Sequence, residues 1–157
     1  MTDFSSLYKK YAPDVYRFAL YLSSERGEAD DITSETFVRA WTSPEPIVMA
    51  TVKGYLFTIA RNLFLQGLRK KSRHVALGDE LRDPQPGPYR QAEQKQKLDS
   101  VMAELQTLPE ASRSALLMRA VDGMAYEEIA QVLGISLAAV KVKIHRARLA
   151  LAGLRDA

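Results

Sequence analysis

The 157-residue sequence contains no cysteine and only two histidines, His74 and His145. Disulfide bonds, thiol redox chemistry and zinc sites built on cysteine are therefore excluded, as is a histidine-rich metal cluster. The longest stretch without a charged side chain, Ile129–Val140, has 12 residues, whereas a membrane-spanning helix needs about 20 apolar residues. The N-terminus carries Asp3 before any basic residue and lacks the apolar core of a signal peptide. These absences predict a cytoplasmic protein without a metal ion or cofactor.

Charge is nearly balanced in total but is arranged in separate runs. Lysine and arginine number 22 against 19 aspartates and glutamates, which leaves a net charge of +3. Acidic residues are missing from residues 53–73 and from residues 137–155, and these two stretches carry eleven basic side chains between them. In residues 25–35 the balance is reversed, since Arg26 is the only basic side chain beside five acidic ones. Two contacts with a polyanion and a separate basic partner would explain this pattern, and so would three solvated helix faces.

Hydrophobic spacing predicts an all-α fold without strands. Apolar residues recur at helical intervals in seven segments, namely residues 3–22, 29–41, 52–73, 91–105, 109–120, 126–133 and 137–152. The segment Gly78–Pro88 between the third and fourth of them has the proline and glycine content of a flexible linker. We therefore predict two small helical domains, residues 1–73 and 91–157, joined by a linker over residues 74–90.

The most specific pattern is the C-terminal segment YEEIAQVLGISLAAVKVKIHRARLAL, residues 126–151. A short helix, a turn at Gly134 that requires positive φ and a second helix capped by Ser136 are typical of a helix-turn-helix. One face of the second helix is predicted to be exposed, and it carries five residues of interest: Ala138, Lys141, Val142, His145 and Arg146.

That exposed face has the composition of a helix that enters a major groove. Small residues at its start allow close approach, Lys141 and Arg146 suit phosphates, and Val142 suits a thymine methyl group. His145 is placed either to reach a base edge or simply to face solvent. An ordinary helical hairpin with a basic exposed face is the alternative to DNA binding.

Three segments together resemble the extracytoplasmic-function sigma factors of bacterial RNA polymerase. EADDITSETFVRAW is similar to the polymerase-binding helix of that family, VKGYLFTIARNLFLQGLRKK to its promoter-melting helix, and the C-terminal segment to its second DNA-binding domain. Their order, with a proline- and glycine-bearing linker between the second and the third, matches the family across nearly the whole chain. The resemblance implies that the first domain opens the −10 promoter element and that the second domain reads the −35 element.

The resemblance assigns the polymerase contact to the second helix. Asp30, Asp31, Ser34 and Glu35 fall where the family meets the coiled coil of the largest polymerase subunit, with Ser34 in place of a frequent glutamine. Favourable interaction with the helix dipole is an alternative role for Asp30 and Asp31, which lie in the first turn of the predicted helix over residues 29–41. A paired-carboxylate enzyme site is disfavoured, because no histidine, cysteine or lysine base accompanies these acids.

The resemblance assigns the −10 contacts to the third helix. They comprise Arg61, Asn62 and the basic end of the helix, namely Arg69, Lys70, Lys71 and Arg73. A solubilising helix end is the alternative role for that basic end. Residues 42–51 would contribute to the pocket for a flipped base, and Trp41 and Tyr55 are expected in the core rather than stacked on bases.

The −35 contacts fall on the five exposed residues of the C-terminal helix. Ala139 and Val142 stand where many family members carry hydroxyl side chains, so the resemblance implies a base preference shifted towards apolar readout. The implied partners are the coiled coil and flap region of core RNA polymerase, promoter DNA and an anti-sigma factor, with no small-molecule substrate. The implied location is the cytoplasm, at the nucleoid when bound to polymerase. A sigma-like decoy for an anti-sigma protein and a stand-alone helix-turn-helix regulator are the alternatives.

Overall fold

A computed structural model describes residues 4–43, 49, 51–76 and 100–156 of the chain. They form seven helices: α1 Phe4–Ser23, α2 Arg26–Thr42, α3 Val52–Ala76, α4 over residues 100–106, α5 Glu110–Ala120, α6 Tyr126–Leu133 and α7 Leu137–Asp156. The described residues contain no strand, which confirms the all-α prediction. No helix among them is both long and apolar enough to cross a bilayer.

The first helix has the predicted length but is unbroken, and the second helix is longer than the sequence predicts. Proline in a helix interior is expected to bend or split it, yet α1 runs through Pro13 without a break. Only Ser24, at φ 67°, and Glu25 separate α1 from α2. Because α2 begins at Arg26, Asp30 and Asp31 lie beyond its first turn, and the helix-dipole explanation for them is wrong.

Helix α3 continues past the predicted domain boundary at residue 73, since its backbone is helical as far as Ala76. The rest of the predicted linker, the predicted helix start at residue 91 and most of the predicted 42–51 loop lie outside the described residues. On the other side of the linker, α5 begins at Glu110, directly after Pro109. The proline therefore precedes the helix instead of occupying its first turn.

Aromatic side chains from α1 and α3 form the centre of the core. The rings of Phe18 and Phe57 stack with centroids 4.6 Å apart, and Phe64 is buried two turns further along α3. The sequence predicts a buried stripe of Leu56, Ile59, Ala60 and Leu63. The first three are buried and Leu63 is half-buried, but the stripe omits both phenylalanines of α3.

Trp41 is not a core residue, contrary to the prediction. Its side chain is 63% exposed at the end of α2, and its ring packs on that of Phe4 with centroids 4.9 Å apart. Tyr55 is half-buried and packs against the core. The prediction for Tyr55 is therefore closer to the structure than the prediction for Trp41.

The core is shared between the two predicted domains. Buried residues of α1, α2 and α3 belong to the same hydrophobic cluster as buried residues of α5, α6 and α7. Helix α5 packs on α1, and α6 packs on α3. The two halves thus meet along a packed interface in this structure.

The helix-turn-helix prediction is confirmed by the local geometry. Gly134 adopts φ 69° at the end of α6, and its N–H donates to the Ala130 carbonyl. The Ser136 hydroxyl accepts a hydrogen bond of 3.1 Å from the Ala139 N–H, as an N-cap should. Four residues of α7 pack inward as predicted: Val140, Ile144, Ala147 and Leu151.

Replacing Gly134 by alanine should destabilise the protein. A Cβ at position 134 meets no atom within 4 Å, so the cost comes from the left-handed backbone alone, about 1–2 kcal/mol. Gly153→Ala is the matched control, because Gly153 has no positive φ and equal space around it. In urea unfolding, Gly134→Ala should lower the transition midpoint and Gly153→Ala should hold or raise it. Equal midpoints for the two variants would contradict this account of the turn.

Candidate functional site

The four predicted polymerase-binding residues share one exposed face of α2. Asp30, Asp31, Ser34 and Glu35 are all exposed, as their spacing of one turn requires. The only ion pair described for them joins Glu35 to Arg39 over 3.1 Å on the same helix. The face is therefore an acidic surface whose charge is largely uncompensated within the described residues.

A cleft of about 450 Å³ lies beside this face, between α1 and α2. Asp30 and Ser34 form part of its wall, and tyrosine, alanine and proline side chains of α1, together with Lys9, form the opposite wall. The apolar part includes Tyr8, Pro13 and Tyr16. An acidic rim above an apolar cleft suits a partner helix that carries basic residues around an apolar anchor.

The basic end of α3 is divided between two roles. Arg69, Lys70 and Arg73 are exposed and line a cleft of about 450 Å³ together with Gln66. Lys71 instead contacts α2, with its ammonium nitrogen 3.2 Å from Glu28 and 3.5 Å from Glu25.

The environment of Lys71 separates it further from its neighbours. Burial by itself lowers the pKa of Lys71, but Glu28 and Glu25 together outweigh that effect and the pKa is raised. Its ammonium group is thus paired with carboxylates of α2, although the side chain remains 49% exposed. Three of the four predicted basic residues form one open surface, and the fourth does not join it.

Asn62 lies on the exposed side of α3 and opens into a smaller cleft. This cleft has a volume of about 240 Å³ and is lined by Arg39, Ser43, Tyr55, Ile59, Asn62 and Gln66. It combines amide, hydroxyl and guanidinium groups with an aromatic ring. These groups can hydrogen-bond and stack on a nucleotide base.

Arg61 is directed away from that cleft and towards the second half of the protein. Its Nε and Nη2 atoms donate to the two carboxylate oxygens of Glu110 over 2.6 and 2.9 Å. The two side chains are only 15% and 16% exposed. Arg61 was expected beside Asn62 on an open surface; in the structure its fork of donors is occupied by a carboxylate.

Glu110 is held in place from its own helix as well. The Ser114 hydroxyl donates to it over 2.7 Å. Burial alone would raise the pKa of Glu110, but the hydrogen bonds from Arg61 and Ser114 and the positive charge of Arg61 lower it below its ordinary value. Glu110 is therefore ionised at neutral pH and forms a charge-assisted, two-bond pair with Arg61.

Arg113, one turn further along α5, also bonds to the first half. Its guanidinium is buried and donates to the main-chain carbonyl oxygen of Leu22 at the end of α1. Gln106 donates to the carbonyls of Tyr21 and Leu22 over 3.2 Å. Helix α1 has no basic residue in its own last turn, so Arg113 supplies the positive charge that a helix C-terminus favours, and Gln106 adds neutral hydrogen-bond donors.

A third polar contact between the halves lies around Asp122, in the turn after α5. Its side chain is 1% exposed and accepts from Arg17 over 3.3 Å, with Lys53 at 3.7 Å. Burial raises the pKa of Asp122, and the cations Lys53 and Arg17 offset only part of that rise. Thr51 donates to Glu128 nearby. These residues bind the start of α3 to the second half.

The five predicted −35 residues form one open surface on α7. Ala138, Lys141, Val142, His145 and Arg146 are all exposed, which confirms the predicted orientation of the helix. The Lys141 ammonium lies 5.7 Å from the centre of the Tyr126 ring, on the first helix of the motif. Leu149 is exposed further along α7 and extends this surface beyond the five residues.

The residues that join the two halves were missed by sequence reasoning. The sequence predicts Glu110 as a favourable first-turn acid and Asp122 with Gly123 as the end of that helix, and it assigns no role to Arg113. Their partners lie 49 and more positions away in the sequence, so no local periodicity relates them. The one available signal is Arg113, a charged residue shortly before the apolar run Ala115–Met118 of α5.

Two families match the chain, one in each half. Sigma-70 region 2 matches residues 7–74, and Sigma-70, region 4 matches residues 98–151. The chain is 33% identical over 153 residues to the ECF RNA polymerase sigma factor SigE of Mycolicibacterium smegmatis, covering 94% of this chain and 60% of that relative. It is also 33% identical over 153 residues to the ECF RNA polymerase sigma factor SigM of Bacillus subtilis, covering 94% of this chain and 92% of that relative.

A solved structure resembles both halves at once. The sigma factor RpoE of Bartonella quintana, crystallised in complex with the anti-sigma factor NepR, matches with a TM-score of 0.81 and 28% identity. The match covers 99% of this chain and 98% of that one. The similarity therefore includes the placement of one half against the other.

Proposed function

Since this chain belongs to the ECF sigma factors of RNA polymerase, we propose that its α2 face binds core polymerase and that α3 and α7 contact promoter DNA. Sigma factors are initiation factors without catalysis of their own, and the polymerase supplies the chemistry. The observation that carries the assignment is the separation of one exposed acidic surface from two exposed basic surfaces on different helices. The protein acts in the cytoplasm and joins the nucleoid as part of the polymerase.

The acidic surface of α2 is assigned to the coiled coil of the largest polymerase subunit. Asp30, Asp31 and Glu35 meet its basic side chains, while the adjoining cleft between α1 and α2 accepts an apolar side chain. Ser34 has a short side chain in the wall of this cleft, which widens it where the family often has glutamine. Charge at the rim sets the association rate and the orientation, and the apolar cleft contributes affinity.

The exposed side of α3 is assigned to the −10 element. Arg69, Lys70 and Arg73 neutralise phosphates, and Asn62 contacts a base in the cleft that it lines with Tyr55. Lys71 contributes indirectly, by holding α3 against α2 through Glu25 and Glu28. Arg61 reaches DNA only after it separates from Glu110.

The outer face of α7 is assigned to the −35 element. Lys141 and Arg146 contact phosphates, and Val142 and His145 face base edges in the major groove. The net charge of +3 predicts weak affinity of the free protein for DNA, so that stable promoter binding requires core polymerase.

The combined change Lys141→Ala with Arg146→Ala should weaken promoter capture by the holoenzyme by roughly 1–3 kcal/mol. Two phosphate contacts are lost, so the slope of log affinity against log salt should also fall by about 2. The measurement is promoter binding by the reconstituted holoenzyme over a range of salt concentrations.

The matched control is Lys10→Ala with Arg26→Ala. It removes the same charge from two exposed residues in the first half of the chain, and it should leave the salt slope unchanged. An unchanged slope in the α7 variant would show that α7 does not contact the phosphates.

We assign an anti-sigma factor as the regulator, because the arrangement of both halves is similar to that of a sigma factor crystallised with its anti-sigma factor. The general test is run-off transcription with purified core polymerase on a randomised promoter library. Enrichment of two spaced elements is the expected result and would also report the base preference of Val142 and His145. Failure to start transcription at any site would refute the assignment.

A further inference from the structure

The contact between the two halves places a proposed DNA-binding residue out of reach. Two donors of Arg61, Nε and Nη2, are bonded to Glu110, and the pair is largely shielded from solvent. The Nε–Nη2 edge of this arginine holds a carboxylate, and at 15% exposure its remaining N–H donors are poorly accessible to a phosphate or a base. In this arrangement α3 can present Asn62 and the basic helix end to DNA, but not Arg61.

The same arrangement is too small to contact both promoter elements. A compact chain of this length is about 40 Å across, whereas elements at −10 and −35 are separated by about 25 base pairs, or about 85 Å of DNA. Because α5 packs on α1 and α6 packs on α3, the two DNA-contacting helices remain within one compact body. The halves must therefore separate before both elements are bound.

Polar contacts at several places hold the halves together, and three of them involve charged side chains of the turn after α5 or of α5 itself. Arg61 pairs with Glu110, Arg113 bonds to the end of α1, and Asp122 accepts from Arg17 near Lys53. The pair of Arg61 and Glu110 is the one that also involves a proposed DNA contact. Its low exposure protects it from screening by salt, which weakens exposed ion pairs.

We propose that the ion pair between Arg61 and Glu110 closes the free protein into an autoinhibited state that core RNA polymerase must open. In the closed state Arg61 is bonded to Glu110 instead of to DNA. The two halves are also too close together to contact both promoter elements. Closure lowers the apparent affinity for polymerase, because only the open fraction of the protein is able to bind it. The effect of the closed state on polymerase and promoter binding rests on the proposed function. The closed state itself can be measured without any transcription.

The test measures the distance between the halves in the full-length protein. The chain has no cysteine, so Ser5→Cys and Ala150→Cys, both at exposed positions, can carry a fluorescent donor and acceptor. We expect one high-transfer population for the free protein and a shift to low transfer when core polymerase is added. Glu110→Gln should shift part of the free protein to low transfer and should tighten the apparent affinity for core polymerase by about 3- to 10-fold.

Two further variants make the result specific. Glu127→Gln removes the same charge from an exposed position on α6 and should leave both the distance and the affinity unchanged. The exchange Arg61→Glu with Glu110→Arg restores the pair with reversed polarity and should restore high transfer. Circular dichroism of each variant distinguishes separation of the two halves, which keeps the helical content, from unfolding, which lowers it.

The possible outcomes distinguish this inference from the proposed function. High transfer in Glu110→Gln equal to that of the unmodified chain, or low transfer in the unmodified chain itself, would overturn the proposal. If the distances respond as expected while no variant supports run-off transcription, the closed state stands and the proposed function is refuted. Opening by Glu110→Gln, rescue by the exchanged pair and tighter polymerase binding together would establish autoinhibition.

Discussion

Reversal of charge at two positions of α2, Asp31→Lys with Glu35→Lys, is expected to abolish co-purification with core RNA polymerase. Both residues are exposed on the acidic face beside the cleft between α1 and α2. Each reversal removes an attraction to a basic partner and places like charges in contact. We expect affinity to fall at least about 100-fold, or about 3 kcal/mol. Equilibrium binding of labelled protein to core polymerase measures this loss.

The fold itself should tolerate these two changes. Neither side chain contributes to the core, and the one ion pair lost, between Glu35 and Arg39, is exposed and contributes little to stability. Helical content by circular dichroism should therefore be unchanged. The control is Glu104→Lys with Glu127→Lys, which makes the same change in net charge in the second half. If the α2 variant binds polymerase as tightly as this control does, the acidic face of α2 is not the polymerase interface.

The change Phe64→Ala is expected to lower the free energy of unfolding by about 3–5 kcal/mol. The ring of Phe64 is buried where the two halves meet, and the Arg113 guanidinium lies 6.0 Å from its centre. Truncation leaves a cavity in the shared core and removes the surface under a buried cation. Denaturant unfolding followed by circular dichroism gives this free energy directly.

The same experiment tests whether the two halves share one core. The unmodified protein should unfold in a single transition, because residues of both halves belong to one buried cluster. Leu68→Ala, one turn further along α3 at an exposed position, is the control and should cost less than about 1 kcal/mol. Two separate transitions in the unmodified protein, or equal losses in the two variants, would contradict the shared core.

Local patterns in the sequence were sufficient wherever a structure depends on neighbouring residues. The helix-turn-helix is the clearest case, since the positive φ of Gly134 and the cap at Ser136 depend on a few adjacent positions. The exposed face of α7 follows from the same helical period. Trp41 shows the limit of this reasoning, because it lies at a helix end where periodicity does not reveal whether another element covers it.

The acidic face of α2 was predicted with the correct residues, although the start of the helix was not. Spacing of one turn places Asp30, Asp31, Ser34 and Glu35 on one side wherever the helix begins. Lys71 was grouped with its basic neighbours because sequence position alone does not show which way a side chain near a helix end points. The structure separates Lys71 from that group through two carboxylates of α2.

By itself, the amino-acid sequence determined the helical class, the helix-turn-helix, the acidic and basic faces and the family. Each of these depends on residue types at short intervals, which helical geometry converts directly into surfaces. Only the tertiary structure decided that Arg61 meets Glu110, that Arg113 caps α1 and that the two halves share a core. Those contacts join residues far apart in the chain, and such pairings depend on how the helices pack rather than on any local pattern.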